Sequence, residues 1–234
     1  MSVFGENRTV NAPGQIFKNV ELAFNQKIKM DGLEFLSLLL NDSIPVCFFD
    51  PQYRGIMDKM KYGNEGARQK KRAVLEQMPD QTIYRFIKEI NRVLIPGGHL
   101  FLWIDKFHLC EGFENWIKET DLNTVDLITW DKGKIGMGYR TRRKSEYLVV
   151  LQKSPVRAKG VWSKHDIPDV WQEKVAHKHH AHPKPVELQR ALIQAVTNET
   201  DVVIDPAAGT FSVMQACGEI NRKFLGCDLN FGEV

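Results

Sequence analysis

Hydrophobic residues along the chain fall into short runs whose spacing alternates, and this alternation predicts strands separated by helices. Residues 44–49 (IPVCFF) and 99–104 (HLFLWI) are almost wholly apolar, as are parallel strands that are buried on both faces of a sheet. Residues 80–95 instead place apolar side chains three or four positions apart, which is the spacing of one helix face. We therefore expect an α/β protein with an open, mostly parallel sheet.

The same reasoning predicts the remaining elements. Helices are expected at residues 32–40, 113–120, 186–196 and 210–220, and strands at 125–130, 146–151, 202–204 and 224–227. The Pro96-Gly97-Gly98 sequence predicts a turn after the helix that precedes it. Residues 154–185 lack sustained periodicity and are expected to form a loop-like insert. No internal repeat or low-complexity tract is present, and a single domain over residues 1–234 is predicted.

Composition and charge narrow the class of protein. A net charge of +3 permits a polyanionic partner without requiring one, so the location of the basic residues matters more than their sum. The N-terminal sequence lacks the layout of a secretion signal, apolar runs are too short to span a bilayer, and the cysteines form no CxxC pair. We expect a soluble cytoplasmic protein with reduced thiols. The histidines match no usual zinc spacing, so no metal site is expected.

Two of the predicted strands end in residues that suit chemistry better than packing. Asp50-Pro51-Gln52-Tyr53 follows one strand, and Asp205-Pro206 with the small residues 207–209 follows another. In open α/β sheets, ligands bind beyond the carboxyl ends of the strands. Small residues let a ligand approach the backbone, and Asp228, at the tip of the next strand, is placed to bind ribose hydroxyls. The turn alone is compatible with a nucleoside pocket or with an ordinary βαβ unit, since no GxGxxG is present.

These motifs, in this order, resemble those of the S-adenosylmethionine-dependent DNA amino-methyltransferases. The closest resemblance is to the permuted beta class, in which the catalytic D-P-P-Y motif precedes the cofactor motif. It runs nearly end to end, and it includes residues 30–34, 92–98, 130–146 and 182–185. The resemblance implies a Rossmann-like, mostly parallel methyltransferase sheet with helices on both faces and a small insert. It also implies S-adenosylmethionine as the cofactor and double-stranded DNA as the substrate.

The resemblance and the strand ends together assign three sets of site residues. The catalytic set is Asp50, Pro51, Gln52 and Tyr53. The cofactor-binding set is Asp31, Gly32, His182, Pro183, Lys184, Asp205, Pro206, Ala207, Gly209, Thr210 and Asp228. The DNA-binding set consists of basic residues in two segments that bracket the pocket, namely Arg54, Lys59, Lys61, Arg68, Arg140, Arg142, Arg143 and Lys144.

The catalytic motif suits methylation of an exocyclic amine. The lone pair of adenine N6 is delocalised into the ring, so the amine is a poor nucleophile. The Asp50 carboxylate and the Pro51 carbonyl would accept its hydrogens and favour a pyramidal nitrogen, while Tyr53 would stack on a base flipped out of the duplex. A site-specific DNA adenine-N6 methyltransferase, as in restriction-modification systems, is therefore the leading hypothesis.

Departures from the family pattern keep other readings open. Gln52 replaces the second catalytic proline, Ala207 replaces an aromatic residue, and Phe211 replaces the second glycine of the cofactor turn. Cytosine-N4 methylation, methylation of RNA or of a protein glutamine, and a non-catalytic DNA-binding subunit are the alternatives. The insert, residues 154–181, is the candidate target-recognition region. Its small size suggests a homodimer or a partner specificity subunit.

Overall fold

The computed structural model describes residues 12–51, 78–136, 140–175 and 184–233, which form one seven-stranded sheet. The strands are β1 (Ile44–Phe49), β2 (Leu94–Ile104), β3 (Leu122–Asp131), β4 (Ser145–Lys153), β5 (Val170–Gln172), β6 (Val202–Asp205) and β7 (Lys223–Gly226). Their order across the sheet is β5-β3-β4-β2-β1-β6-β7. Only β4 runs antiparallel to its neighbours, β2 and β3, so the mostly parallel sheet predicted from the sequence is confirmed.

Helices cover both faces of this sheet, as the resemblance implied. They are α1 (Gly32–Ser37), α2 (Asp80–Val93), α3 (Lys106–Glu111), α4 (Glu114–Ile117), α5 (Val186–Val196) and α6 (Ser212–Gly218). Cys47 of β1 belongs to the same buried cluster as Phe35 of α1 and Ile87 of α2. Its neighbour Phe48 belongs to the opposite cluster, with Leu192 of α5. Successive β1 side chains thus enter two apolar layers, which explains why residues 44–49 are apolar throughout.

None of the described helices is long and apolar enough to cross a lipid bilayer. The longest of them, α2, has 14 residues and buries one stripe of its surface against the sheet. The other described helices are shorter still.

Several predicted boundaries are wrong where side chains or glycines act on the backbone. Helix α1 ends at Ser37, because the Arg92 guanidinium donates hydrogen bonds to the carbonyl oxygens of Leu36 and Leu39 at 2.8 and 2.9 Å. The predicted turn at residues 96–98 lies inside β2 instead, which begins directly after α2. Gly97 adopts a φ of +78° there, and the chain bulges out of its pairing with β1.

Two predicted helices also differ in extent. The helix expected at 113–120 covers only Glu114–Ile117 (α4), and an unpredicted helix, α3, precedes it on the other side of Gly112, whose φ is +96°. The helix expected at 210–220 covers only Ser212–Gly218, because Phe211 before it is left-handed. Both differences come from backbone angles that an apolar periodicity does not encode.

The insert is more ordered than its sequence suggests, so a purely loop-like segment is wrong for its described part. Within it, β5 pairs in parallel with the end of β3. The Glu173 carboxylate accepts hydrogen bonds from the backbone N–H groups of Glu187 and Leu188 at 3.1 and 3.0 Å. The insert is thereby joined to the sheet and to the first turn of α5. Residues 176–183 lie outside the described residues, and a role in target recognition stays a prediction.

Candidate active site

The pairing of β1 with β6 brings the two predicted motifs to the same edge of the sheet. Val46 pairs with Val203 and Cys47 with Ile204, so Asp205 continues the register at the level of Phe48, and Asp50 follows two positions further along at the same edge. This is the point at which the chain departs to opposite sides of the sheet, where open α/β sheets bind ligands. Gln52 and Tyr53 of the catalytic set lie outside the described residues.

Asp50 forms a short ion pair with a residue that the sequence assigned to the cofactor set. The Lys184 Nζ lies 3.0 Å from Asp50 Oδ2 and 2.9 Å from Glu146 Oε2. Glu146, at the start of β4, also pairs with Lys132, just after β3. Because β3 ends and β4 begins at this edge, the two strands place both groups beside the end of β1.

Each of the two lysines also lies over a tryptophan ring. The Lys184 Nζ is 4.5 Å from the ring centroid of Trp103, and the Lys132 Nζ is 5.2 Å from that of Trp130. The two indoles pack edge to face with their centroids 5.9 Å apart. A cation is attracted to the face of an indole, most strongly where water is excluded.

Burial and charge act in opposite directions on these groups. Burial raises the pKa of Glu146, but the ammonium groups of Lys184 and Lys132 outweigh it and lower that pKa to about 2. Burial likewise lowers the pKa of Lys184, but the carboxylates of Asp50 and Glu146 outweigh it and hold that pKa above its usual range. Both groups are therefore charged at neutral pH.

Asp205 behaves in the opposite way. Burial is the main reason that its pKa is raised to about 8; the Ala207 N–H lowers this pKa, the carboxylates of Asp50 and Asp228 raise it, and the Lys184 ammonium lowers it. The Ala207 N–H donates to Asp205 Oδ1 at 3.1 Å. A carboxyl of this kind favours the protonated form near neutral pH, and a bound cation would favour its ionisation.

The turn after β6 is hydrogen-bonded to the acid after β7. Gly209 has a φ of +50°, and its N–H donates to Asp228 Oδ2 at 3.1 Å. A Cβ added at Gly209 would meet no heavy atom within 4 Å, so open space borders the backbone there. Pro206 is buried, whereas Ala207 and Thr210 are half-buried beside the turn.

Helix α1 begins directly against this turn. Asp31 caps the helix by accepting the N–H groups of Leu33 and Glu34. A Cβ added at Gly32 would lie 2.2 Å from the Pro206 carbonyl oxygen and 2.5 Å from the Phe86 ring. Only glycine allows so close an approach, which gives a steric reason for the Asp31-Gly32 sequence.

The acids of this edge fit the cofactor that the resemblance implied. Burial, and then the charges of Asp205, Asp228 and Asp31, raise the pKa of the Cys227 thiol, which marks the point around which these three acids gather. S-adenosylmethionine carries cationic sulfonium and amino groups and a ribose diol. Acidic side chains beside an open glycine turn suit both features. His182 and Pro183 of the cofactor set lie outside the described residues.

Part of the predicted DNA-binding set surrounds the same edge. Arg140 and Arg142 are exposed in the connection between β3 and β4, and Lys144 pairs with Asp131 at 2.8 Å. The Arg143 guanidinium lies 6.0 Å from the ring centroid of Phe107 in α3. Arg54, Lys59, Lys61 and Arg68 lie outside the described residues, and the DNA contacts of both segments stay predictions.

Some residues of this site were missed at the sequence level. Glu146 and Lys132 fall within the family pattern, but neither was given a role. An acid at the start of an otherwise apolar strand, fourteen positions after a lysine that follows a strand, was the available signal. Phe107 and Lys106 were also missed, because neither belongs to a matched motif; the Lys106 Nζ lies 5.2 Å from the Phe107 ring centroid.

A separate cleft of about 700 Å³ lies at the opposite end of the strands. Residues 12–24 line one side of it, and Ser43, Val202 and Lys223, at the amino ends of β1, β6 and β7, line the other. Its position away from the carboxyl ends of the strands separates it from the candidate active site.

Comparison with known proteins supports this architecture. A family model described as DNA methylase matches residues 44–234. The chain is 56% identical over 211 residues to the type II methyltransferase M.HhaII of Haemophilus parahaemolyticus, a match that covers 89% of this chain and 92% of the relative. It is 25% identical to M1.MboII of Moraxella bovis, covering 89% of this chain and 93% of that relative.

Solved structures share the fold at low sequence identity. The complex of M1.HpyAVI with SAM has a TM-score of 0.60 and 17% identity, covering 87% of this chain and 92% of that one. The cytosine-N4-specific PvuII DNA methyltransferase has a TM-score of 0.66 and 16% identity, covering 91% of this chain and 86% of that one. At these identities the likeness concerns the fold.

Proposed function

The chain belongs to the DNA methylase family whose model matches residues 44–234, and we propose that it methylates adenine at N6 within a specific DNA sequence. It is a DNA methyltransferase of the N6/N4 type, and S-adenosylmethionine is its methyl donor. The observation that carries the proposal is the position of Asp50, ion-paired with Lys184 at 3.0 Å beside the acid-lined turn after β6. The catalytic motif precedes that turn in the chain, which supports the permuted beta class.

The residues of the catalytic edge have separate tasks in this reaction. When bound, S-adenosylmethionine supplies a methyl group activated by its bond to a positively charged sulfur. The ionised Asp50 carboxylate accepts a hydrogen bond from the target amine, and the Pro51 carbonyl accepts a second one. Both acceptors favour a nitrogen whose lone pair points out of the plane of the base. Pro51 is buried, and its ring fixes the backbone angle that aims this carbonyl.

Most of the rate enhancement would come from position and electrostatics. The carboxylate and carbonyl are held by the end of a buried strand, so they need little reorganisation when the amine becomes positively charged. Asp50 is not required to remove the proton before transfer, because the amine becomes far more acidic once it is methylated. Tyr53 is proposed to stack on the flipped-out base.

DNA recognition is proposed to combine the basic connection between β3 and β4 with the insert. The connection carries phosphate-binding cations on the catalytic edge, and the insert is fixed to β3 through β5. An insert of this size offers few contacts to base edges, so a second copy of the chain or a specificity subunit is proposed to complete the recognition surface.

The decisive experiment is incubation of the purified protein with unmethylated genomic DNA and labelled S-adenosylmethionine, followed by mass spectrometry of the digested nucleosides. N6-methyladenine is the expected product. N4-methylcytosine would overturn the proposed base while keeping the amine chemistry. No methylated nucleoside, with cofactor binding intact, would favour a partner-dependent or non-catalytic subunit.

An Asp50→Ala variant tests the catalytic assignment. It should abolish methyl transfer while it leaves cofactor affinity and most DNA affinity unchanged, because the carboxylate acts on the amine. Calorimetry with S-adenosylmethionine and a gel-shift assay with DNA provide the two binding controls. Retained transfer by this variant would contradict the mechanism.

A further inference from the structure

Lys184 was assigned to the cofactor set from the sequence, but its ammonium group contacts two carboxylates of the catalytic edge. Asp50 Oδ2 lies 3.0 Å from Nζ, and Glu146 Oε2 lies 2.9 Å from it. We propose that Lys184 is a positioning residue for Asp50, held in place by Glu146 and Trp103, and that it does not bind the cofactor. This inference rests on the proposed function, since it concerns the carboxylate that would act on the amine.

The need for such a cation follows from the charges around Asp50. Asp205 and Asp228 belong to the same edge, and their mutual repulsion with Asp50 contributes to the raised pKa of Asp205. A carboxyl group accepts the amine hydrogens most strongly when it is ionised, so this edge requires a cation next to Asp50 in particular. The Lys184 side chain is only 12% exposed, which keeps its charge from being screened by water.

Glu146 and Lys132 complete a chain of alternating charges. From Asp50 the order is carboxylate, ammonium, carboxylate and ammonium, which sums to zero. Without Lys132, Glu146 would draw Lys184 more strongly and weaken its hold on Asp50. The balanced chain therefore allows Lys184 to remain shared between two acids in a buried site.

The surroundings of Lys184 restrict its position. Trp103, which is 1% exposed, presents its ring 4.5 Å below the ammonium group. Pro185 follows directly and precedes α5, whose first turn is held by the Glu173 carboxylate. The Lys184 ammonium group is thus held in place by the core of the protein, and it can in turn fix the orientation of the Asp50 carboxylate.

Lys132, the last residue of the charge chain, lies where the basic connection between β3 and β4 begins. The Lys132 N–H donates to the Lys144 carbonyl at 2.9 Å, which closes the connection between β3 and β4. The connection that carries the predicted DNA-binding arginines therefore starts beside the groups that position Asp50.

A Lys184→Met variant tests the proposal, because Met keeps the length of the side chain and removes its charge. Single-turnover methyl transfer at saturating S-adenosylmethionine should fall about 100-fold at neutral pH, as when one preorganised electrostatic contact is lost. The acid limb of the pH–rate profile, measured from about pH 5.5 to about pH 9, should move to higher pH. Calorimetry should show unchanged cofactor affinity, and Lys184→Arg should return the acid limb towards its original position.

Lys153→Met provides the matched control. Lys153 is also buried and ion-paired, at 2.6 Å from Asp42, but it lies at the other end of the sheet. Its loss should lower the melting temperature without moving the pH–rate profile. An equal effect of the two Met variants on stability, with no shift of the acid limb in Lys184→Met, would reduce Lys184 to a structural role and overturn the proposal.

A loss of cofactor affinity of more than about tenfold in Lys184→Met, with the rate at saturation unchanged, would also overturn it. Carbon-13 NMR of aspartate carboxyls, with the Asp50 signal assigned through Asp50→Asn, separates this inference from the proposed function. The Asp50 titration should move to higher pH in Lys184→Met even if the wild-type protein methylates no DNA. An unmoved titration would refute the positioning role whatever the substrate.

Discussion

Phe211 shows how packing can override a local backbone preference. Its φ of +59° belongs to the left-handed region, and the family pattern has glycine at this position. The ring is nevertheless 2% exposed and packs edge to face on Phe224. A left-handed conformation costs a non-glycine residue about 1–2 kcal/mol, whereas burying a core phenylalanine contributes about 3–5 kcal/mol. Burial of the ring therefore outweighs the cost of the left-handed conformation, and the turn keeps a glycine-like backbone without a glycine.

This balance predicts an unusual order of stabilities at residue 211. Phe211→Ala and Phe211→Gly should both lower the free energy of unfolding, but the Gly variant should be about 1 kcal/mol more stable than the Ala variant. Urea denaturation measures both. The same pair of substitutions at Val213, buried in α6, should give the ordinary order, with Gly about 1 kcal/mol less stable than Ala. A less stable Gly variant at residue 211 would disprove the strain.

The sequence identified Phe211 as a departure from the family but gave no sign of its conformation, because φ there is set by the turn around it. Gly32 is a similar case. A motif match selected it, yet the reason, contact of its backbone with the Pro206 carbonyl, depends on how α1 packs against a turn 174 residues later.

Strand β5 and helix α5 show which elements a sequence pattern can predict. Helix α5 was predicted with its observed bounds because its apolar positions follow the helical repeat. Strand β5 has three residues with exposed, half-buried and exposed side chains, a pattern too short for periodicity to detect. It forms because β3 offers an open edge at Thr129–Asp131. Such pairing depends on a strand that is distant in the sequence, so the local sequence pattern does not predict it.

Glu173 joins these two elements, which leads to a prediction about their stability. Glu173→Ala should cost about 1–2 kcal/mol in the free energy of unfolding, since two N–H groups of the first turn of α5 lose their charged acceptor. Urea denaturation provides the measurement. Glu187→Ala is the matched control, because it removes a carboxylate from the same turn without removing those bonds. Equal losses in the two variants would argue against the cap.

At the scale of the whole molecule, the described residues place acidic side chains at the centre of the catalytic edge and lysines and arginines around it. This pattern was inaccessible from the net charge of +3 and was only partly visible in the motifs. The strand ends indicated Asp50, Asp205 and Asp228, because parallel strands end at one edge. Lys132 and Lys184 neutralise this edge. They are 52 positions apart in the sequence, and only the order of strands in the sheet brings them together.

The burial of Asp205, with other acids beside it, predicts a pH dependence of stability. The folded protein retains the Asp205 proton up to about pH 8, whereas the unfolded chain releases it near its ordinary pKa of 3.8. Between these values the folded state binds more protons, so the free energy of unfolding falls as pH rises, by up to about 1.4 kcal/mol per pH unit. Asp205→Asn should remove this fall and become relatively more stable towards pH 8. Urea denaturation at several pH values checks it, and parallel curves for the two proteins would contradict it.

The exposed arginines around the catalytic edge predict how DNA binding depends on salt concentration. Each phosphate contact contributes about 0.9 to the slope of log affinity against log salt concentration. Replacing Arg140 and Arg142 with alanine should therefore reduce that slope by about 2. Fluorescence anisotropy with duplex DNA at several salt concentrations measures it. Alanine at Lys18 and Lys223, beside the cleft at the other end of the strands, should leave the slope unchanged. Equal reductions would indicate a diffuse charge effect.

The pair of tryptophans beneath the lysines gives the protein an optical property of its own. Their ring centroids are 5.9 Å apart at an interplanar angle of 71°, close enough for excitation energy to pass from one indole to the other. The Lys184 ammonium lies over one member and the Lys132 ammonium over the other, so their emission senses the local electric field. A change in the charge state or position of Asp50 would move the first ammonium. Intrinsic fluorescence and near-ultraviolet dichroism can therefore follow the arrival of a base at this edge without any attached dye.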